Sequence, residues 1–218
     1  MTFYAQMGTS LGRLLLCATD RHLTGLYFVG QKDCPVLEGL PTPLPEAADP
    51  TAGVLAGRVL KKVKLSQQLS ILPNPRLQEL SDSCQHNNSD LVFMQDYTPL
   101  GALAILLQTH EELLEYFQGQ RTDFTVPINT TGSEFQNKVW ELLQHIPYGE
   151  LSFYGQLAEE AGMGSGHGRA VGTAVGRNPI SIIIPCHRVL AANGTLNGYT
   201  GGLFRKQILL ELEGVLLE

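Results

Sequence analysis

The feature that most constrains this chain is a change of hydrophobic rhythm across one polar, proline-bearing stretch, residues 120–132. Before it, Leu14-Leu15-Leu16-Cys17 and residues 23–29 are short apolar runs separated by Thr19-Asp20-Arg21-His22. Apolar runs of this length around a polar turn predict a β-hairpin. After it, apolar side chains recur at three- and four-residue spacing, the period of a helix buried on one face. A change of period across a linker predicts two domains, and 218 residues at 43% hydrophobic composition suffice for two small cores.

In the first half, Leu103, Leu106, Leu107, Leu113, Leu114 and Phe117 predict a helix that stops at Gly119. Residues 39–50 are proline-rich, 54–69 are expected to hold a short helix, and 73–75 and 82–90 read as loops. Residues 34–99 therefore read as a long, mostly irregular segment. In the second half, Ser133 and Gln136 form a capping-box pair ahead of Phe135, Val139, Trp140, Leu142 and Leu143. Ile146-Pro147-Tyr148-Gly149 ends that helix. Ser152 is expected to cap the next, which carries Tyr154, Leu157, Ala158 and Ala161. A glycine-rich turn at 162–168 leads to a small-residue helix at 169–176, stopped by Asn178-Pro179. Residues 180–184 read as a short buried strand or extended run, and 203–212 as a final helix.

Helix, glycine turn and small-residue helix in succession resemble a helix-turn-helix. Ala170, Gly172, Ala174 and Gly176 permit close backbone approach. Tight packing on another helix and contact with a nucleic-acid backbone both fit. Charge leans against the second: net charge is -6, only 17% of residues are charged, and no basic tail is present. From residue 132 onward, Lys138, Arg169, Arg177, Arg188, Arg205 and Lys206 face eight acidic residues.

The four cysteines, Cys17, Cys34, Cys84 and Cys186, form no CxxC pair, which fits free thiols in a reducing compartment. Met1-Thr2-Phe3-Tyr4-Ala5-Gln6 has no basic segment leading into an apolar one, so no secretion signal is expected. The apolar runs are too short to span a bilayer, and no membrane partner is expected. Cys186 ends an apolar run and is followed by His187 and Arg188. A cysteine so placed is either an inert core residue or a nucleophile whose basic neighbours lower its pKa.

The wider pattern decides between these. Phe135-Gln136, Val139-Trp140, Ile146-Pro147-Tyr148-Gly149, Tyr154-Gly155-Gln156-Leu157-Ala158 and Arg169-Ala170-Val171-Gly172 occur in order. Asn178-Pro179, Pro185-Cys186-His187-Arg188-Val189, Gly198-Tyr199-Thr200-Gly201-Gly202 and residues 206–214 follow. Over about residues 130–214 this resembles the methylated-DNA--protein-cysteine methyltransferase family, the O6-alkylguanine-DNA alkyltransferases. The resemblance implies an α/β two-domain protein: a small ribonuclease H-like α/β domain at 1–127, then a mostly helical, winged-helix-like DNA-binding domain at 130–218. It implies direct repair of O6-alkylguanine, and more weakly O4-alkylthymine, by one irreversible alkyl transfer to Cys186 without a cofactor. His187 would relay the thiol proton, Glu213 would orient His187, Tyr154 would assist the departing O6, and Asn178 would shape the pocket. Tyr199, Thr200 and Lys206 would bind the base, with Thr200 giving a backbone or hydroxyl donor near O6. Arg169 would fill the space left by a flipped base, with Ala170, Gly172 and Thr173 on a helix in the minor groove.

The implied partner is double-stranded DNA carrying O6-alkylguanine, and the implied state a monomer. The implied compartment is the cytoplasm of a bacterium or archaeon, or the nucleus of a eukaryote. Two departures stand out. The turn at 162–168 is one residue longer and richer in glycine than the family's. The N-terminal half is loosely similar, mainly at 12–29 and 113–127; Cys17 and His22 do not match the zinc-ligand set of some relatives, so no metal is expected. Two other readings are a damage sensor that binds alkylguanine without repair, and a Cys-His-Glu hydrolase. The sensors lack the acceptor cysteine, and no motif announces a hydrolase's oxyanion hole.

Overall fold

A computed structural model describes residues 1–37 and 91–215. The expectations for 39–50, 54–69, 73–75 and 82–90, and Cys84, lie outside the described residues. The chain divides into two compact units, Met1–Asn129 and Thr130–Glu218.

The first unit is built on an antiparallel sheet in the order β3-β2-β1-β4, formed by β1 (Phe3–Thr9), β2 (Gly12–Ala18), β3 (Leu23–Phe28) and β4 (Leu91–Phe93). β2 and β3 are the hairpin expected from the sequence. Leu14, Leu15 and Leu16 are fully buried in an inner strand, so both faces of β2 are covered and alternation disappears. β1 was not anticipated: Phe3, Ala5 and Met7 alternate, but Gln6 between them is buried too and blurs the pattern. β4 lies within the segment read as irregular. Three residues are too few to show a period, and pairing with β1 defines them as a strand.

Helix α1 (Leu100–Phe117) packs on this sheet and buries Leu103, Leu106, Leu107 and Leu113. Its end is a Schellman-type cap: Gly119 has φ +69°, its N–H donates to Tyr116 O at 3.0 Å, and Gln120 N–H donates to Glu115 O at 2.8 Å. Gly101 is required at its start, because a Cβ there would strike the Asp20 carbonyl of the β2–β3 turn. The stretch at 120–132 is not a free linker. Buried Glu112 accepts from Thr125 N–H at 2.9 Å and Val126 N–H at 3.2 Å, and Leu23 N–H donates to Pro127 O at 2.8 Å. A buried carboxylate needs such donors, and here they strap the chain to the first unit as far as Asn129.

Among the described residues the second unit holds four α-helices: α2 (Glu134–Gln144), α3 (Tyr154–Glu160), α4 (Gly168–Gly176) and α5 (Leu203–Leu212). The capping box of α2 is formed: Ser133 Oγ accepts from Gln136 N–H at 3.2 Å, and Gln136 Oε1 from Ser133 N–H at 2.9 Å. Trp140 of α2 donates from Nε1 to Ala174 O of α4 at 2.9 Å. Ser152 is not a cap. It lies in β5 (Ser152–Phe153), parallel to β6 (Val189–Leu190), and the N-cap of α3 is Phe153. Strand pairing across 37 residues overrides the local capping preference. The glycine turn holds a 3-10 turn, Ser165–His167.

Residues 180–184 do not form a strand. They make a tight turn in which Ile184 N–H donates to Ile180 O at 3.0 Å, and Ile182 takes φ +72°. A β-branched residue in that region costs on the order of 1–3 kcal/mol. The two-domain layout, a sheet-bearing unit followed by a mostly helical one, is the fold class expected from the sequence. Among the described residues, no helix is long and apolar enough to cross a membrane, and no three His, Cys, Asp or Glu side chains gather as a metal site.

Candidate active site

The strained turn leads into Cys186. Pro185 has φ -80° and ψ 61°, and Cys186 N–H donates to Ile184 O at 2.7 Å, an inverse γ-turn. Cys186–Arg188 then forms one 3-10 turn whose three side chains are buried. Asn178, at the end of α4, organises the approach. Its Nδ2 donates to Ile184 O at 2.8 Å, to Ile180 O at 3.3 Å and to Cys186 Sγ at 3.1 Å, while Oδ1 accepts from Ile180 N–H at 3.0 Å. One amide thus closes the turn and points a donor at the sulfur.

Basic neighbours do not make Cys186 a resting thiolate. Burial pushes the thiol pKa up and outweighs the opposing pull of the Asn178 hydrogen bond, the Lys206 charge and nearby backbone amides. Burial likewise lowers the pKa of His187, against the pull of Glu213. At neutral pH the resting pair is a thiol and a neutral imidazole.

The imidazole has one defined tautomer. His187 Nε2 lies 2.8 Å from Glu213 Oε1. Burial would raise the Glu213 pKa, but hydrogen bonds from His187 and Arg188 prevail and hold it at about 2. Glu213 is therefore a carboxylate, an acceptor only, and Nε2 must carry the proton. Nδ1, buried and without a hydrogen-bond partner among the described residues, is the ring nitrogen left to accept one. The carboxylate also takes Arg188 Nε on Oε2 at 2.8 Å, Arg188 Nη2 on Oε1 at 3.0 Å, and Gly149 N–H on Oε2 at 3.2 Å. Sequence alone gives neither Arg188 nor Gly149 a role in the site, since both reach Glu213 only through the fold.

The loop at 193–201 closes the other side. Tyr154 donates from its hydroxyl to Asn197 O and Gly198 O, each at 3.2 Å. Burial, then the nearby Cys186, push its pKa up to about 12, so it is a proton-bearing donor at neutral pH. Tyr199 turns its hydroxyl into a buried position without a partner among the described residues, and burial, then Cys186, raise its pKa. The Thr200 hydroxyl is engaged elsewhere, donating to Gly176 O at 2.6 Å. Lys206, expected near a site edge, is fully buried and donates to Val189 O at 2.5 Å and Asn197 O at 2.9 Å. Arg169, Ala170 and Thr173 lie exposed on α4, while Gly172 is half-buried against the Tyr154 ring.

The arrangement joins a buried nucleophile, a neutral base with a defined tautomer, and a phenol donor beneath a glycine-bearing loop. Residues 134–215, which contain every one of these groups, match the family model for the DNA-binding domain of 6-O-methylguanine DNA methyltransferase. A methylated-DNA--protein-cysteine methyltransferase of Mycolicibacterium paratuberculosis is 55% identical over 103 residues, 47% of this chain and 62% of that protein. One from Methanosarcina acetivorans is 49% identical over 107 residues, 49% of this chain and 68% of that protein. The aligned stretch thus spans about 62% of the mycobacterial relative's length. The crystal structure of Mycobacterium tuberculosis OGT in complex with DNA superposes with a TM-score of 0.61 at 31% identity, covering 95% of this chain and 90% of that one. On fold, motif order and identity, the chain belongs to the methylated-DNA--protein-cysteine methyltransferase family.

Proposed function

We propose that this protein repairs O6-alkylguanine in DNA by moving the alkyl group, once and irreversibly, onto Cys186. The observation that carries the reading is a buried thiol that accepts from Asn178, next in sequence to a buried imidazole that Glu213 orients with Nδ1 left to accept a proton. In the step, the Cys186 proton passes through water to His187 Nδ1. The sulfur lone pair forms the S–C bond as the C–O6 bond breaks. The bonding pair leaves on O6, to which the Tyr154 hydroxyl would donate a hydrogen bond on turning from the Asn197 and Gly198 carbonyls. The imidazolium stands against Glu213, already ionised at neutral pH. The product thioether has no leaving group that His187 could release, so each molecule reacts once. O4-alkylthymine, with the same alkyl–oxygen linkage, would be a weaker substrate.

A stacked base cannot reach a buried sulfur, so the alkylguanine would be rotated out of the duplex at a cost of a few kcal/mol. Arg169, exposed at the start of α4, would occupy the vacated space, its planar cation replacing part of the lost stacking. Ala170, Gly172 and Thr173 give α4 a low profile suited to the minor groove, whose degenerate pattern matches a protein that must inspect any sequence. The protein would act as a monomer. Tyr199 and the loop around it would hold the extruded base. With Thr200 Oγ1 already donating to Gly176 O, its backbone is the donor left for O6.

The test is intact mass after incubation with duplex DNA containing O6-methylguanine. One methyl group per molecule on Cys186, absent in C186A, is the expected result. No transfer, as in a damage sensor, or repeated turnover, as in a hydrolase, overturns the reading.

A further inference from the structure

We infer that Arg188 is a positioning residue for the transfer step: it occupies one edge of the Glu213 carboxylate so that the anion orients His187 without drawing a proton onto it. The inference rests on the proposed function above and assigns a part to a residue outside the proton path.

A lone buried carboxylate beside an imidazole stabilises the imidazolium. That would defeat a base which must be neutral to receive the thiol proton. Here the carboxylate is shared. Arg188 gives Nε to Oε2 and Nη2 to Oε1, the oxygen that also takes His187 Nε2. The fork geometry fixes the carboxylate plane, as an arginine on a carboxylate does and a point charge cannot. Arg188 is itself held from two sides. Nη1 donates to Ile146 O at 2.5 Å, and the guanidinium lies 5.8 Å from the centre of the Tyr148 ring. The Tyr148 hydroxyl in turn donates to Leu212 O at 2.9 Å, next to Glu213. The turn after α2, the end of α5 and the cysteine segment therefore meet at one carboxylate. The charged groups acting on the His187 ring are Glu213, Arg188 and Lys206. Burial is the largest cause that keeps the ring neutral; of the charged groups, Glu213 favours protonation, while Arg188 and then Lys206 oppose it.

The test uses the full chain and compares wild type, R188M and R188K. The rate of single methyl transfer is followed by intact mass across pH, and the tautomer and protonation of the His187 ring by nitrogen NMR. R188M is expected to slow transfer about tenfold or more, since both charge-assisted hydrogen bonds to Glu213 are lost. Its acidic limb moves to higher pH, because the ring is protonated more readily. R188K restores part of the rate and part of the limb. Where R188M fails to fold, Tyr148→Leu removes the ring from beside the guanidinium, and a smaller shift of the same limb in the same direction is expected. A folded R188M with wild-type rate, limb and ring spectrum overturns the inference, as does an unmoved limb in Tyr148→Leu. If wild type itself transfers no methyl group, the functional reading fails, while the ring spectra still decide the part of Arg188.

Discussion

Lys206 offers a quantitative test of how this site is built. Its side chain is fully buried and its ammonium reaches two carbonyls, Val189 O and Asn197 O. Burial lowers its pKa from 10.5 to about 8, against a smaller opposing pull from Cys186. A neutral amine still has two N–H groups for two carbonyls, so deprotonation relieves the charge without breaking the contacts. The folded pKa is below the unfolded one, so between pH 8 and 10.5 the unfolded chain binds the extra proton. Stability contributed by this group therefore rises with pH through that window. The full shift corresponds to roughly 3 kcal/mol, of which about 2.5 kcal/mol falls between pH 7 and pH 10. K206M lacks the term, although it leaves the two carbonyls unmet at about 1–3 kcal/mol each. Trp140, the only tryptophan in the chain, is buried in the second unit and reports its unfolding by fluorescence. Urea titrations of wild type and K206M at pH 7, 8, 9 and 10 should give a difference that grows by about 2.5 kcal/mol in favour of wild type. High-pH ionisation of tyrosines and cysteines occurs in both proteins and largely cancels. A flat difference across that range would show that Lys206 is not buried as a strained cation.

Three other expectations follow from the same geometry. Asn178→Ala removes the donor to Cys186 Sγ and both ends of the Ile180–Ile184 turn, and should cost roughly 2–4 kcal/mol in urea unfolding and slow methyl transfer; an unchanged midpoint and rate would refute it. The Glu213 pKa, held at about 2 from 4.5, contributes stability that is present above pH 4.5 and lost as pH falls towards 2. E213Q should lack that acid-dependent loss in fluorescence-monitored unfolding, and an identical acid profile would count against the shared carboxylate. R169A should slow transfer from duplex DNA more than from a single-stranded oligonucleotide, since only the duplex carries the unstacking cost; equal slowing on both would remove Arg169 from that part.

Much of the local structure was legible in the sequence because its causes are local. The Ser133–Gln136 capping box, the stop of α1 at Gly119 and the hairpin turn at 19–22 depend on residues within a few positions of one another. The run Pro185-Cys186-His187-Arg188 marked the candidate site, and its family resemblance supplied Glu213 and Asn178 from a distance. Tertiary structure decided whatever depended on distant partners. Ser152 became a strand residue because Val189 lies beside it. The apolar run at 180–184 became a strained turn because the Asn178 amide takes the Ile180 and Ile184 carbonyls. Adjacency of His187 and Arg188 to Cys186 suggested a lowered thiol pKa, yet burial raises it, and burial is a property of the packed protein. Arg188 follows the histidine in the chain, but its contacts reach Glu213 and Ile146, 25 and 42 residues away. Residue types and their order pointed to Cys186 as the candidate acceptor; only packing determined which protons are held, by which atoms, around it.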